Sequence, residues 1–126
     1  MLNTFGLVAV GGAIGAMLRY SVYLSSVRIL GASFPFGTMI VNVAGSFLMG
    51  IAAVVLMQRG QAGLLAPFLM IGVLGGFTTF SAFSLDTLVL IEKGKLALAS
   101  VYVFGSVGLS ILALFTGLLL ARSIWG

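Results

Sequence analysis

The sequence predicts an all-α integral membrane protein with four transmembrane helices, the third of them broken near its middle. Three observations carry this expectation. Of 126 residues, 61% are hydrophobic and only 6% are charged, which is too little polar surface to cover a soluble globule. The mean hydropathy of +1.30 comes from four apolar segments, each near the ~20 residues that a helix needs to cross a bilayer. The third segment contains Gly75-Gly-Phe-Thr-Thr79, whose paired glycines and β-branched threonines make a poor helix interior.

Composition also excludes several classes. Six Lys and Arg against two Asp and Glu give a net charge of +4. The basic residues are scattered along the chain, which makes neither a nucleic-acid patch nor a polybasic lipid anchor. Cysteine and histidine are absent, so disulfides, thiolate metal sites and the usual neutral-pH proton shuttle are unavailable. The connections between spans are short, so residues 1–126 are expected to form a single domain.

The first span covers about residues 5–24. It lacks the charged n-region of a signal peptide and continues well past an h-region, so it reads as a retained span. Gly11 and Gly15, with Gly12 and Ala16, place small residues four apart twice, the pattern that lets membrane helices approach closely. Arg19 falls at membrane depth, where a guanidinium must pair, snorkel or line water. Asp86 falls nearer the same side, and a pairing of the two is one expectation.

Ser33-Phe-Pro35-Phe-Gly37 supplies a turn, and the second span follows over about residues 38–57. Thr38, Asn42, Ser46 and Gly50 stand at successive steps of four, which puts them on one helix face. Such a stripe faces protein or water, because lipid offers no hydrogen-bond partners. Asn42 can serve interhelical bonding or donate to an anion equally well. A polar loop, Gln58-Arg-Gly-Gln-Ala-Gly63, ends the span.

The third span covers about residues 64–91. A break near residues 75–79 leaves backbone carbonyls without intrahelical partners, and these must meet protein, water or an ion. Discontinuous helices at the midplane serve as ion sites for that reason. Beyond it, Phe77, Phe80 and Phe83 recur every three residues beside Ser84 and Thr87. Packing explains such rings in general, but here they share a face with hydroxyls. A ring presented edge-on stabilises a small anion without holding it too tightly to leave. After Glu92-Lys-Gly-Lys95, the fourth span runs over about residues 96–122 and repeats the polar stripe at Tyr102, Ser106 and Ser110.

Orientation follows from Lys and Arg near the span ends. One side carries the N-terminal amine, Arg59 and Arg122; the other carries Arg28, Lys93 and Lys95, with Arg19 nearby. The bias is close to nil, and four helices of this size are too few to enclose a path alone. A dimer is therefore expected, with an antiparallel arrangement open.

Two segments carry a family resemblance. Gly37-Thr-Met-Ile-Val-Asn42-Val-Ala-Gly45-Ser and Gly75-Gly-Phe-Thr-Thr-Phe-Ser-Ala-Phe-Ser84 resemble the signature segments of the Fluc, or CrcB, fluoride channels. The early Gly-Gly-x-x-Gly-x-x-x-Arg19 pattern fits as well. The resemblance implies a fluoride-selective channel of the bacterial inner membrane. It would let cytoplasmic fluoride leak out passively and so limit its toxicity. It also implies an antiparallel, dual-topology homodimer with two pores and no other protein partner. By the same resemblance, the backbone carbonyls of Gly75 and Thr78 from both subunits hold a structural sodium ion, which is not transported. Phe80 and Phe83 match the pore phenylalanines, Asn42 the pore asparagine and Arg19 the vestibule arginine. Tyr102, Ser84 and Ser110 resemble positions along the pore's polar track, and Ser106 lies on the same stripe. Asp86 stands where the family often has a glutamate.

The residue chemistry agrees without singling out fluoride. Asn42, Ser84, Ser106 and Ser110 supply donors for a small hydrated anion, and Phe80 and Phe83 narrow its path. The same inventory suits another small anion. The rival from another class is a small dual-topology exporter coupled to protons, which needs a titratable carboxylate that only Asp86 could supply. A non-conducting scaffold is a second rival. An intramembrane enzyme would lack a base to activate its serine.

Overall fold

The computed structural model describes residues 2–58 and 63–125, and every regular element among them is helical. Helix α1 spans Leu2–Leu30 and α2 spans Phe36–Ala52, continued by a π-helical segment, Ala53–Gln58. A second π-helical segment, Pro67–Val73, leads into α3, Leu74–Phe77; then come α4, Phe80–Glu92, and α5, Leu96–Trp125. Four helical stretches are long and apolar enough to cross a membrane: Leu2–Leu30, Phe36–Leu56, Pro67–Glu92 and Leu96–Trp125. The first and fourth are longer than the apolar runs in the sequence indicate. The charges expected at the N-terminal amine and Arg59 lie outside the described residues.

The turns follow from local chemistry. Between α4 and α5, Gly94 takes φ +76°, a left-handed conformation that suits glycine. Its N–H donates to the Ile91 carbonyl and that of Lys95 to the Leu90 carbonyl, which closes α4 with a Schellman motif. The π-helical register of the third span begins at Pro67, a residue without an N–H to give to an α-helical ladder.

Packing sorts the four stretches into two pairs, α1 against the third and α2 against α5. Gly11 and Gly15 are both buried, on the face where the sequence places small residues four apart. A side chain at Gly15 would collide with the Val73 carbonyl and the Phe77 N–H, so only glycine lets these two backbones touch. Between α4 and α5, Phe83, Leu90, Ala99 and Tyr102 form a buried cluster, flanked by Phe34, Met39 and Val103. Elsewhere large apolar side chains point outward along each of the four spanning stretches, including Ile29, Leu48, Ile71, Phe104 and Leu119. That distribution suits a surround of lipid or of another protein face.

Candidate functional site

The site is built around two residues of extended backbone inside the third span. Thr78 has φ −86° and ψ 158°, and Thr79 has φ −154° and ψ 123°. Gly75 and Gly76 keep helical geometry within Leu74–Phe77, so the threonines, not the glycines, carry the extended backbone. β-Branched side chains are comfortable in extended backbone. Gly76 is needed for contact: a side chain there would fall 2.7 Å from the Gly12 carbonyl oxygen.

Each backbone group around this joint finds a partner or loses one. Thr78 N–H donates to the Leu74 carbonyl at 3.0 Å, closing α3. Thr79 N–H, which a continuous helix would give to the Gly75 carbonyl, donates instead to Asn42 Oδ1 at 2.7 Å. The Asn42 amide returns Nδ2 to the Thr79 carbonyl at 3.0 Å. Ala82 N–H, which would reach the Thr78 carbonyl, donates to Thr79 Oγ1 at 3.2 Å, as at an ordinary threonine N-cap. The Gly75 and Thr78 carbonyls thereby lose their helical donors. Gly75 is exposed and Thr78 half-buried. A set of neutral carbonyl oxygens suits a hard monovalent cation without an acidic ligand, and no cluster of acidic or thiolate ligands occurs among the described residues.

Arg19 is part of this joint. Its Nε donates to the Gly76 carbonyl at 3.0 Å, in a partly buried position. The pairing with Asp86 is therefore not formed within the chain. The guanidinium meets a backbone dipole left over from the helix end, while the carboxylate is engaged by hydroxyls. Asp86 Oδ2 accepts from Thr38 Oγ1 at 2.7 Å and from the Tyr102 hydroxyl at 3.0 Å, with the Tyr23 hydroxyl 3.5 Å from Thr38 Oγ1. All four spanning stretches contribute to this node. Thr38 and Thr79 thus do more than the sequence indicates. A threonine just before a helix restart is a recognisable cap, whereas nothing in the sequence joins Thr38 to a carboxylate 48 residues away.

Beside the joint, a groove of about 360 Å³ runs between α2, the third span and α5. Asn42, Ser46, Ser106 and Ser110 give it a polar line, and Phe80 and Phe83 form part of its wall. Ser106 is 3% exposed, and its hydroxyl has no hydrogen-bond partner. Phe83 is buried with its ring 5.2 Å from that of Tyr102, and the Phe80 ring lies 5.5 Å from that of Phe83, tilted by 43°, yet is 76% exposed. Tyr102 is wholly buried and donates its hydroxyl to Asp86. Ser84 is exposed and donates to the Phe80 carbonyl of its own helix at 3.1 Å; it does not line the groove within one chain. The structure thus gathers Asn42, Phe80, Phe83, Ser106 and Ser110, packs Tyr102 against Phe83 with its hydroxyl on Asp86, and leaves Ser84 and Gly75 on the outer surface.

Comparison with known proteins bears on what this groove is for. Residues 6–118 match the family model described as CrcB-like protein, Camphor Resistance (CrcB). The chain belongs to the CrcB family. Its relatives include a protein of Cereibacter sphaeroides named fluoride-specific ion channel FluC, 54% identical over 122 residues that make up 97% of either chain. A protein of the same name in Paracoccus denitrificans is 50% identical over 125 residues, 99% of each chain. Another, in Agrobacterium fabrum, is 48% identical over 126 residues, 99% of this chain and all of that one. The family is one of ion channels and not of enzymes, and with its four apolar helices this is a multi-pass membrane protein. None of these names points to a proton-coupled exporter.

Proposed function

We propose that the chain is a fluoride-selective channel of the bacterial inner membrane, through which fluoride leaves the cytoplasm down its gradient. The observation that carries this reading is the groove: hydroxyl and amide donors along one line, with phenylalanine rings on its wall and one buried hydroxyl lacking a protein partner. Donors replace the hydration of a small anion, and ring edges hold it weakly enough for release. The names of the relatives supply the anion's identity.

The working unit is an antiparallel, dual-topology homodimer with two pores. In support, the groove is open along one side of a single chain, Phe80 projects from it, and the charge bias is too small to impose one orientation. The third span acts as a broken helix whose Gly75 and Thr78 carbonyls, with those of the second subunit, hold a structural sodium ion. The loss of helical donors at these two carbonyls supports that assignment. The path itself runs past Asn42, Phe80, Phe83, Ser84, Tyr102, Ser106 and Ser110, with Arg19 drawing anions into the vestibule.

Fluoride efflux from proteoliposomes tests the reading. Rapid flux set by the fluoride gradient and membrane potential, indifferent to a pH gradient, is the expected result. A requirement for a proton gradient, or flux abolished by Asp86→Asn alone, would instead make it an exporter. Unchanged leak in liposomes carrying Phe80→Ile and Phe83→Ile would mean a scaffold. Preparing the protein with a large organic cation in place of sodium is expected to cost the dimer, the flux or both.

A further inference from the structure

We propose that Arg19 is a positioning residue for the break in the third span: by holding the Gly76 carbonyl, its Nε fixes the end of α3, and with it the neighbouring Gly75 and Thr78 carbonyls. The inference deepens the cation-site reading and rests on it only for the sodium measurement described below.

The carbonyl at Gly76 is in the same position as its neighbours. In a continuous helix it would accept from the Phe80 N–H, but Phe80 opens α4 beyond two extended residues. Left alone at membrane depth, it would draw water or a cation, or twist the chain until it found a donor. Arg19 removes it from that competition at 3.0 Å. The approach is prepared one turn earlier, where Gly15 lets α1 lie against Val73 and Phe77. A role confined to attracting anions would require only a charge facing the vestibule. It does not account for a side chain committed through its inner nitrogen to a neutral carbonyl, while the carboxylate of Asp86 is held elsewhere.

The identity of the donor atom makes the idea separable from charge. The bond comes from Nε, the fourth atom of the side chain counted from Cβ. Glutamine carries its Nε2 at that same position and is neutral. Lysine has a methylene there and keeps the charge one atom further out. Arg19→Gln therefore preserves the donor and discards the charge, and Arg19→Lys does the reverse.

The test compares wild type, Arg19→Gln, Arg19→Lys and Arg19→Ala in the full-length reconstituted protein. Hydrogen–deuterium exchange is followed in peptides covering residues 74–82, together with the sodium concentration that half-saturates dimer retention. Losing a hydrogen bond to a charged donor is worth roughly tenfold or more in an opening equilibrium. The glutamine variant is expected to stay within about threefold of wild type, and the lysine and alanine variants to exchange about tenfold faster and need about tenfold more sodium. Protection by lysine with loss in glutamine would overturn the proposal in favour of charge alone. Four indistinguishable profiles, or a glutamine variant that fails to fold where lysine folds, would overturn it too. A wild-type dimer indifferent to sodium would remove the cation site while the exchange ranking still decides the role of Arg19.

Discussion

Replacing Asn42 with alanine is the sharpest test of how the joint in the third span is held. The amide accepts from Thr79 N–H and donates to the Thr79 carbonyl, at 2.7 and 3.0 Å, so one side chain satisfies both backbone groups of a residue that has left the helix. Its removal strands a donor and an acceptor. Each costs about 1–3 kcal/mol when left unpaired and buried, which sets an upper range of about 2–6 kcal/mol for the two. Two effects reduce it. Asn42 borders the groove, so water can reach the exposed groups, and measured side-chain hydrogen bonds within membranes average only ~0.6 kcal/mol. The expected loss is about 2 kcal/mol, carried mainly by Thr79 N–H.

Reversible unfolding in mixed micelles by titrated denaturing detergent gives the stability, and exchange at the Thr79 amide locates the loss. Asn42→Leu controls for volume and is expected to match the alanine variant. If Asn42 served only as a donor to the conducted anion, Asn42→Ala would stop fluoride flux and leave both stability and Thr79 exchange at wild-type values. A stability change below about 0.5 kcal/mol, the ordinary range of surface substitutions, with Thr79 still protected, would refute the capping role.

The remaining predictions separate packing from conduction. Phe83→Ala, at the buried cluster with Tyr102, is expected to cost about 3–5 kcal/mol. Phe80→Ala, at 76% exposure, is expected to change stability by less than about 0.5 kcal/mol while fluoride flux falls. Ser106→Ala removes a buried hydroxyl without a protein partner, so stability should hold or rise slightly while fluoride efflux slows; a stability loss above about 1 kcal/mol would mean that the hydroxyl has a structural partner. Asp86→Leu leaves the Thr38 and Tyr102 hydroxyls without their acceptor and is expected to cost about 2–4 kcal/mol. Asp86→Asn retains an acceptor oxygen and should cost less than half as much by the same unfolding assay.

How much of this was legible in the sequence depends on which link carried the information. Hydropathy and length locate the four spans, because a bilayer imposes its thickness on any chain that crosses it. The steps of four that align Asn42 with Ser46, and Ser106 with Ser110, are a property of the helix alone, and the structure brings both pairs to one groove. What the sequence does not carry is the choice of partner across helices. Arg19 and Asp86 invite pairing as opposite charges of similar depth, yet each is claimed by a group with a stronger local need. The end of α3 at Phe77 leaves a carbonyl that requires a donor, and Thr38 and Tyr102 bring two hydroxyls to one carboxylate oxygen. Asn42 shows the same logic: its amide is equally suited to an anion and to a backbone, and the extended Thr79 presents it with both halves of a peptide unit. The polar residues of this chain are therefore placed first by the unpaired backbone of the third span. The donors that remain, above all the unpartnered hydroxyl of Ser106, are those left over for an anion in the proposed path.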